Sequence, residues 1–202
     1  MSGETVGQSP PPLSGSVAFA WGCLLEGAVL LAAFVLAKRV GVPFLATFRW
    51  NVMDALLGVA ASVPLLAMFH WLIRTSWPPV SGITRFLEEV VRPVIAGWSL
   101  WQMAVVSLLA GVCEEILFRG VLHGWIALHW GAGPALIVAS LVFGLAHCVN
   151  PAYAVVAAAI GAGFGGLWLW NGNLLVPIVA HTTYDFMALL YLLRLNPWRM
   201  TG

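Results

Sequence analysis

Long apolar segments dominate this chain and leave few structures open to it. Of its 202 residues, 61% are hydrophobic and 8% are charged, whereas a soluble domain carries about 25% charged residues. The interior of a bilayer offers backbone polar groups no hydrogen-bond partner, so segments of about 20 apolar residues cross it as helices. The sequence therefore predicts an all-α, polytopic membrane helix bundle, with the lipid bilayer as an obligatory partner.

The apolar segments indicate about six transmembrane helices. A more polar connection between the second and third follows a different pattern, because Ile83, Phe86, Leu87 and Val90 recur at helical spacing opposite charged residues. That pattern favours an amphipathic helix at the membrane interface, and an ordinary ordered loop is the alternative. The predicted passes cover approximately residues 17–37, 52–73, 98–128, 135–148, 152–170 and 175–195.

The composition also predicts the organisation of the rest of the chain. Residues 1–15 are polar and proline-rich, which predicts a disordered tail rather than a cleaved signal peptide. Residues 16–96 form the N-terminal helices and the interfacial connection, residues 97–195 a helical core, and residues 196–202 a C-terminal tail. The net charge of +1, without a basic face, argues against nucleic acid as a partner.

Cysteine usage points to no cofactor. Cys23, Cys113 and Cys148 lie in or beside apolar segments without CxxC spacing, which predicts small core residues rather than disulfides or a zinc knuckle. We expect neither a bound cofactor nor a bound metal.

Three charged residues stand within six positions of the third apolar segment: Glu114, Glu115 and Arg119. Each costs at least a few kcal/mol at bilayer depth, so a functional site is the first hypothesis. Glu115 and Arg119 are spaced i, i+4 and can form an ion pair, whereas Glu114 points about 100° away. We therefore expect Glu115 and Arg119 to set the local structure and field, and Glu114 to remain free for chemistry.

The later segments contain three more titratable residues, His147, His181 and Asp185. His181 and Asp185 are spaced i, i+4 and share one face of a helix. A carboxylate in a low-dielectric site can exchange protons near neutral pH, and His147 can share that task with Glu114. His181, beside Asp185, can donate to a developing oxyanion.

These motifs occur in a fixed order on successive segments: Glu114-Glu115-x-x-x-Arg119, Phe143-x-x-x-His147 and His181-x-x-x-Asp185. The set resembles the CPBP family of intramembrane glutamic endopeptidases, which includes type II CAAX prenyl endopeptidases and bacterial Abi proteins. The resemblance covers roughly residues 97 to 195.

The resemblance implies a role for each site residue. Glu114 is then the base that activates water together with His147, and His181 with Asp185 forms the oxyanion site. The last position is often Asn in the prenyl-protein proteases; because an ionised Asp cannot donate, Asp185 either orients His181 or is itself protonated.

The resemblance also implies a substrate class, a membrane-associated protein or peptide. A prenylated protein, a bacteriocin precursor and a C-terminal sorting anchor all fit that class. The short chain favours a bacterial cytoplasmic (inner) membrane, and the sequence does not fix an oligomeric state.

Other functions use the same residues. Two histidines and a glutamate can bind zinc, and the buried acids suit a proton-coupled carrier or a non-catalytic immunity or scaffold protein. Glu26 can line the same cavity or hydrogen-bond another helix. Outside the site, we expect His123 and His129 to be exposed near a helix end.

Overall fold

The computed structural model describes residues 15–195, and within them it contains helices and no strands. The predicted C-terminal tail and all of the predicted N-terminal tail except Gly15, which begins the first helix, lie outside that range. The α-helices are α1 Gly15–Val40, α2 Val52–Arg74, α3 Ser81–Phe86, α4 Arg92–Ile95, α5 Leu100–Glu115, α6 Gly124–Trp130, α7 Ala132–Ala146, α8 Pro151–Asn171 and α9 Leu175–Leu190.

Four helical stretches are long and apolar enough to cross a membrane: Gly15–Val40, Val52–Arg74, Pro151–Asn171 and Leu175–Leu193. α7 is apolar but shorter. α5 continues through the π-helical segment Ile116–His123 into α6, so the third predicted pass is one continuous helical stretch. The predicted all-α membrane bundle is confirmed.

α5 occupies the centre of the bundle, between α1 and α9. Its first turn is fixed by a capping box, in which Ser99 accepts from the Gln102 amide and Gln102 accepts from the Ser99 amide. Elsewhere α2 packs on α9 and α7 packs on α8. The second of these contacts needs Gly144, because a Cβ there would lie 2.5 Å from the Ala154 carbonyl oxygen.

The connection between α2 and α5 is helical, but its buried face differs from the predicted one. Ile83, Leu87 and Ile95 are buried, whereas Val90 is half exposed. The π-helical segment Leu87–Val91 explains the difference. A π-turn spreads its residues over a wider turn than an α-helix does, which shifts the following positions around the axis.

The turn between α8 and α9 is tied to the start of α2. Gly172 has a φ of +73°, which glycine adopts without strain, and it is followed by the fully buried Asn173. The Asn173 amide accepts from the Arg49 backbone amide and donates to the Arg49 carbonyl and the Asp54 carboxylate. Asn171 donates to the same carboxylate. These bonds hold the N-terminal ends of α2 and α9 together.

Candidate active site

Glu114 and Glu115 are the last two residues of α5, and their side chains face different neighbours. This follows from helix geometry, because adjacent residues point about 100° apart around the helix axis. Glu115 is fully buried against α9, whereas the Glu114 side chain is 13% exposed and faces a cavity. The π-helical segment follows immediately after them. Such segments occur frequently at functional sites.

Glu115 and Arg119 form a fully buried ion pair. Arg119 Nη1 donates to Glu115 Oε1 at 2.8 Å, and Nη2 donates to the Gly161 carbonyl oxygen at 2.8 Å. The guanidinium carbon lies 4.6 Å from the centre of the Phe143 ring. Arg119, in the π-helical segment, thereby joins α5, α8 and α7 through an ion pair, a hydrogen bond and a contact with an aromatic ring, respectively.

The Glu115 oxygen that accepts from Arg119 also contacts His181 of α9. His181 Nδ1 lies 2.8 Å from Glu115 Oε1, and the His181 ring stacks on Phe164 with 4.9 Å between ring centres. On its other side, His181 Nε2 lies 3.4 Å from Asp185 Oδ2. Both ring nitrogens therefore face carboxylates, and both can donate when the imidazole is protonated.

Glu114 faces His147, the first residue after α7. Glu114 Oε2 lies 3.5 Å from His147 Nε2, and His147 Nδ1 lies 2.8 Å from the Phe143 carbonyl oxygen. A carbonyl only accepts, so Nδ1 carries a hydrogen and Nε2 is the nitrogen that exchanges protons with the carboxylate. The ring stacks on Phe143 at 4.4 Å, which fixes its plane.

A partly enclosed cavity of about 170 Å³ brings the predicted site residues together. Glu114, His147, His181 and Asp185 line it, and Glu115 and Arg119 do not. The rest of the wall is mainly apolar and comes from α2, the α2–α5 connection, α7, α8 and α9. It consists of Phe69, Leu72, Ile83, Leu87, Phe143, Tyr153, Val156, Ala157, Ile160 and Tyr184.

The contact between His181 and Glu115 was absent from the sequence prediction. The i, i+4 rule reveals pairs within one helix, such as His181 with Asp185, but these two residues are 66 positions apart. Only the packing of α5 on α9 brings them together. The hydrogen bond from Arg119 to the Gly161 carbonyl was likewise missed, because these residues are 42 positions apart and a backbone carbonyl leaves no signal in a sequence.

Other titratable residues lie apart from the cavity. His123 is fully buried against Trp168 of α8, so the expectation of exposure was wrong for it, because α8 packs over this position. His129 is exposed, as expected. Glu26 is buried in α1 but does not line the cavity.

The acids and histidines of the site are also the side chains that could bind a metal ion. Among residues 15–195, no three His, Cys, Asp or Glu side chains converge as a metal site requires. Glu114 with His147 and Glu115 with His181 form two separate pairs on faces of α5 that lie about 100° apart.

Comparison with known proteins identifies a family and a relative to which the chain is similar. Residues 96–187 match the family described as type II CAAX prenyl endopeptidase Rce1-like. An uncharacterized protein of Bacillus subtilis (strain 168), YpbD, is 37% identical over 139 residues, which cover 67% of this chain and 69% of the relative. No solved structure matches significantly. The chain is thus an integral membrane protein that belongs to the Rce1-like family of CAAX-type membrane proteases.

Proposed function

We propose that the chain is a glutamic-type intramembrane endopeptidase, which hydrolyses a peptide bond in a membrane-associated protein or peptide. The observation that carries the proposal is the pair of Glu114 and His147, 3.5 Å apart in the wall of a cavity with largely apolar sides. Catalytic contacts are often long in a free enzyme and tighten when substrate binds. A water molecule held by this pair would face an entering peptide.

Glu114 and His147 divide the proton transfers of the reaction. Glu114 takes a proton from water while the oxygen attacks the peptide carbonyl carbon, and the resulting tetrahedral intermediate carries a negative oxygen. The proton then passes to the leaving amine from Glu114 or from His147 as the carbon–nitrogen bond breaks. No covalent intermediate with the protein is needed.

His181 stabilises the negative oxygen of the intermediate. Its Nδ1 is held by Glu115 at 2.8 Å, whereas its Nε2 contact with Asp185 is longer, at 3.4 Å. The substrate oxygen takes the place of the Asp185 carboxylate at Nε2, and Asp185 orients the ring until substrate arrives. A preorganised donor of this kind contributes about 10²–10³-fold to the rate.

Glu115 and Arg119 act indirectly by positioning other groups. Glu115 fixes the His181 ring, and Arg119 offsets the charge of Glu115 and anchors it to α8. The reaction requires no metal in this proposal. A bacterial cytoplasmic membrane is the proposed location, and the substrate belongs to the three classes that the sequence leaves open.

Two substitutions test the proposal. Glu114→Ala and His147→Ala each abolish cleavage, while the protein remains folded in detergent. Glu89→Gln on the α2–α5 connection is the matched control, because Glu89 is exposed and does not line the cavity. Retained cleavage in either active-site variant would refute the mechanism.

One experiment identifies the substrate, and two others test the rival functions. The membrane proteome of cells with Glu114→Ala is compared with that of wild-type cells, and an accumulated precursor identifies the substrate. Cleavage that is lost after exhaustive chelation and restored by zinc would favour a metalloprotease. Proton or solute transport in liposomes without proteolysis would favour a carrier.

A further inference from the structure

A second cavity, here called the lateral groove, lies on a face of α5 that is turned away from Glu114. Its volume is about 510 Å³, within the range of roughly 300–1,000 Å³ that ligand pockets occupy. Side chains of α5, of α9 and of the turn between α1 and α2 form its wall, which is aliphatic and aromatic apart from Thr182 and Thr183. Val112 of this wall points about 160° away from Glu114 around the helix axis.

The lateral groove is separate from the catalytic cavity. The two cavities share no lining residue within the described part of the chain. α5 and α9 close the floor between them, because they approach so closely that a Cβ at Gly111 would overlap the Thr182 hydroxyl. A peptide lying in the lateral groove would therefore not reach Glu114.

The shape of the lateral groove suits an aliphatic chain. Leu175 and Thr183 of α9 both line it, and eight residues of α-helix span about 12 Å. Leu108 lies at its rim and is exposed on the outside of the bundle, where the hydrocarbon of the bilayer surrounds a membrane helix. The groove is thus a narrow apolar channel that is open to the side.

The α1–α2 turn places one end of the lateral groove at the membrane interface. Trp50 of this turn is exposed and lines the groove, and exposed tryptophans of membrane proteins concentrate at the interface. Phe44 and Leu45 of the same turn also line a second, more open cavity of about 470 Å³, whose wall includes Lys38. An ammonium group therefore lies next to the interfacial end of an apolar groove.

The charge at this end of the bundle is positive. Lys38 and Arg39 end α1, and Arg49 precedes α2. None of the three forms an ion pair among residues 15–195. The nearby acid, Asp54, accepts hydrogen bonds from two asparagines of the α8–α9 turn instead. Unpaired cations at a membrane surface attract the anionic head groups of lipids.

We propose that the lateral groove binds one acyl chain of an anionic phospholipid, whose phosphate lies against Lys38. The apolar wall takes the chain, and the cations at its interfacial end take the head group. A zwitterionic lipid lacks the net charge, and a free phosphate lacks the chain. The site goes beyond the proposed peptidase function and does not depend on it, because α5 separates it from Glu114.

Native mass spectrometry of the purified chain tests the head-group contact. The protein is released from mixed micelles that contain equal amounts of phosphatidylglycerol and phosphatidylcholine with identical acyl chains. Wild type retains one phosphatidylglycerol in preference to phosphatidylcholine, and Lys38→Gln lowers that preference about fivefold. Arg74→Gln is the control, because Arg74 is exposed at the opposite end of α2 and leaves the preference unchanged.

A second pair of variants tests the chain contact. Leu108→Trp fills the lateral groove and abolishes retention of the lipid, whereas Leu141→Trp retains it, because Leu141 lies on α7 outside the groove. The two leucines are matched in exposure, at 52% and 55%. If Leu108→Trp does not fold, Val112→Phe fills the same groove from the next turn of α5.

Four results would overturn the inference. Two concern the lipids and variants: equal retention of the two lipids by wild type, and equal retention of phosphatidylglycerol by Leu108→Trp and Leu141→Trp. Displacement of the lipid by excess inorganic phosphate would reassign the site to a free anion. A dimer that carries no phospholipid would show that a second copy of the chain covers the groove.

Discussion

Replacement of Arg119 by methionine should be among the most destabilising single changes in the chain. Methionine has a similar length but no charge, so the fully buried Glu115 carboxylate loses the donor at 2.8 Å and keeps only His181. The Gly161 carbonyl loses its donor, and the contact with the Phe143 ring is lost as well. Breaking a buried ion pair on one side costs about 3–5 kcal/mol, and we expect a loss of that size in the free energy of unfolding.

The assay is reversible unfolding in mixed micelles titrated with SDS, followed by tryptophan fluorescence. Arg92→Met is the matched control, because Arg92 pairs with Glu88 at 3.0 Å with the same i, i+4 spacing but remains partly exposed. That change should cost about 1 kcal/mol or less.

A double substitution refines the interpretation. In Glu115→Gln with Arg119→Met no unpaired charge remains, so the double variant should lose less stability than the sum of its single changes, by about 0.5–3 kcal/mol. If Arg119→Met costs no more than Arg92→Met, the buried ion pair does not stabilise the bundle and the reasoning is refuted.

Two further substitutions and one labelling experiment test other contacts. Asn173→Ala should lower the free energy of unfolding by about 1 kcal/mol, because the fully buried Asn173 amide loses its hydrogen bonds to the Arg49 backbone; an unchanged SDS midpoint would contradict this. Gly144→Ala should lower the melting temperature in detergent, since its Cβ meets a carbonyl oxygen of α8, whereas Gly163→Ala, whose Cβ meets nothing within 4 Å, should not. Maleimide should label the exposed Cys148 in the folded protein and reach the buried Cys113 only after unfolding, and equal labelling of both would show that the helices pack differently.

The membrane helices were predictable because apolar length alone determines them. The passes predicted at 52–73 and 152–170 correspond to Val52–Arg74 and Pro151–Asn171. The i, i+4 pair of Glu115 and Arg119 is present in the structure for a similarly local reason. Local spacing is visible in a sequence because one helix fixes both positions.

Features that depend on contacts between helices could not be predicted. The contact of His181 with Glu115 joins residues 66 positions apart, and Asn173 meets Asp54 across 119 positions. The π-helical segments were missed because hydrophobic periodicity assumes a constant 3.6-residue turn, and the exposed Val90 is the consequence. His123 was wrongly expected at the surface because its neighbours in α8 were unknown.

The most direct test of the central claim is the cleavage rate of Glu114→Gln with the substrate identified from the accumulated precursor. Glutamine keeps the size of the side chain and removes its ability to take a proton from water. The account predicts that kcat falls by about 10²–10⁴-fold, with the fold intact and with Glu89→Gln unchanged. A kcat within a few-fold of wild type would contradict the assignment of Glu114 as the water-activating base.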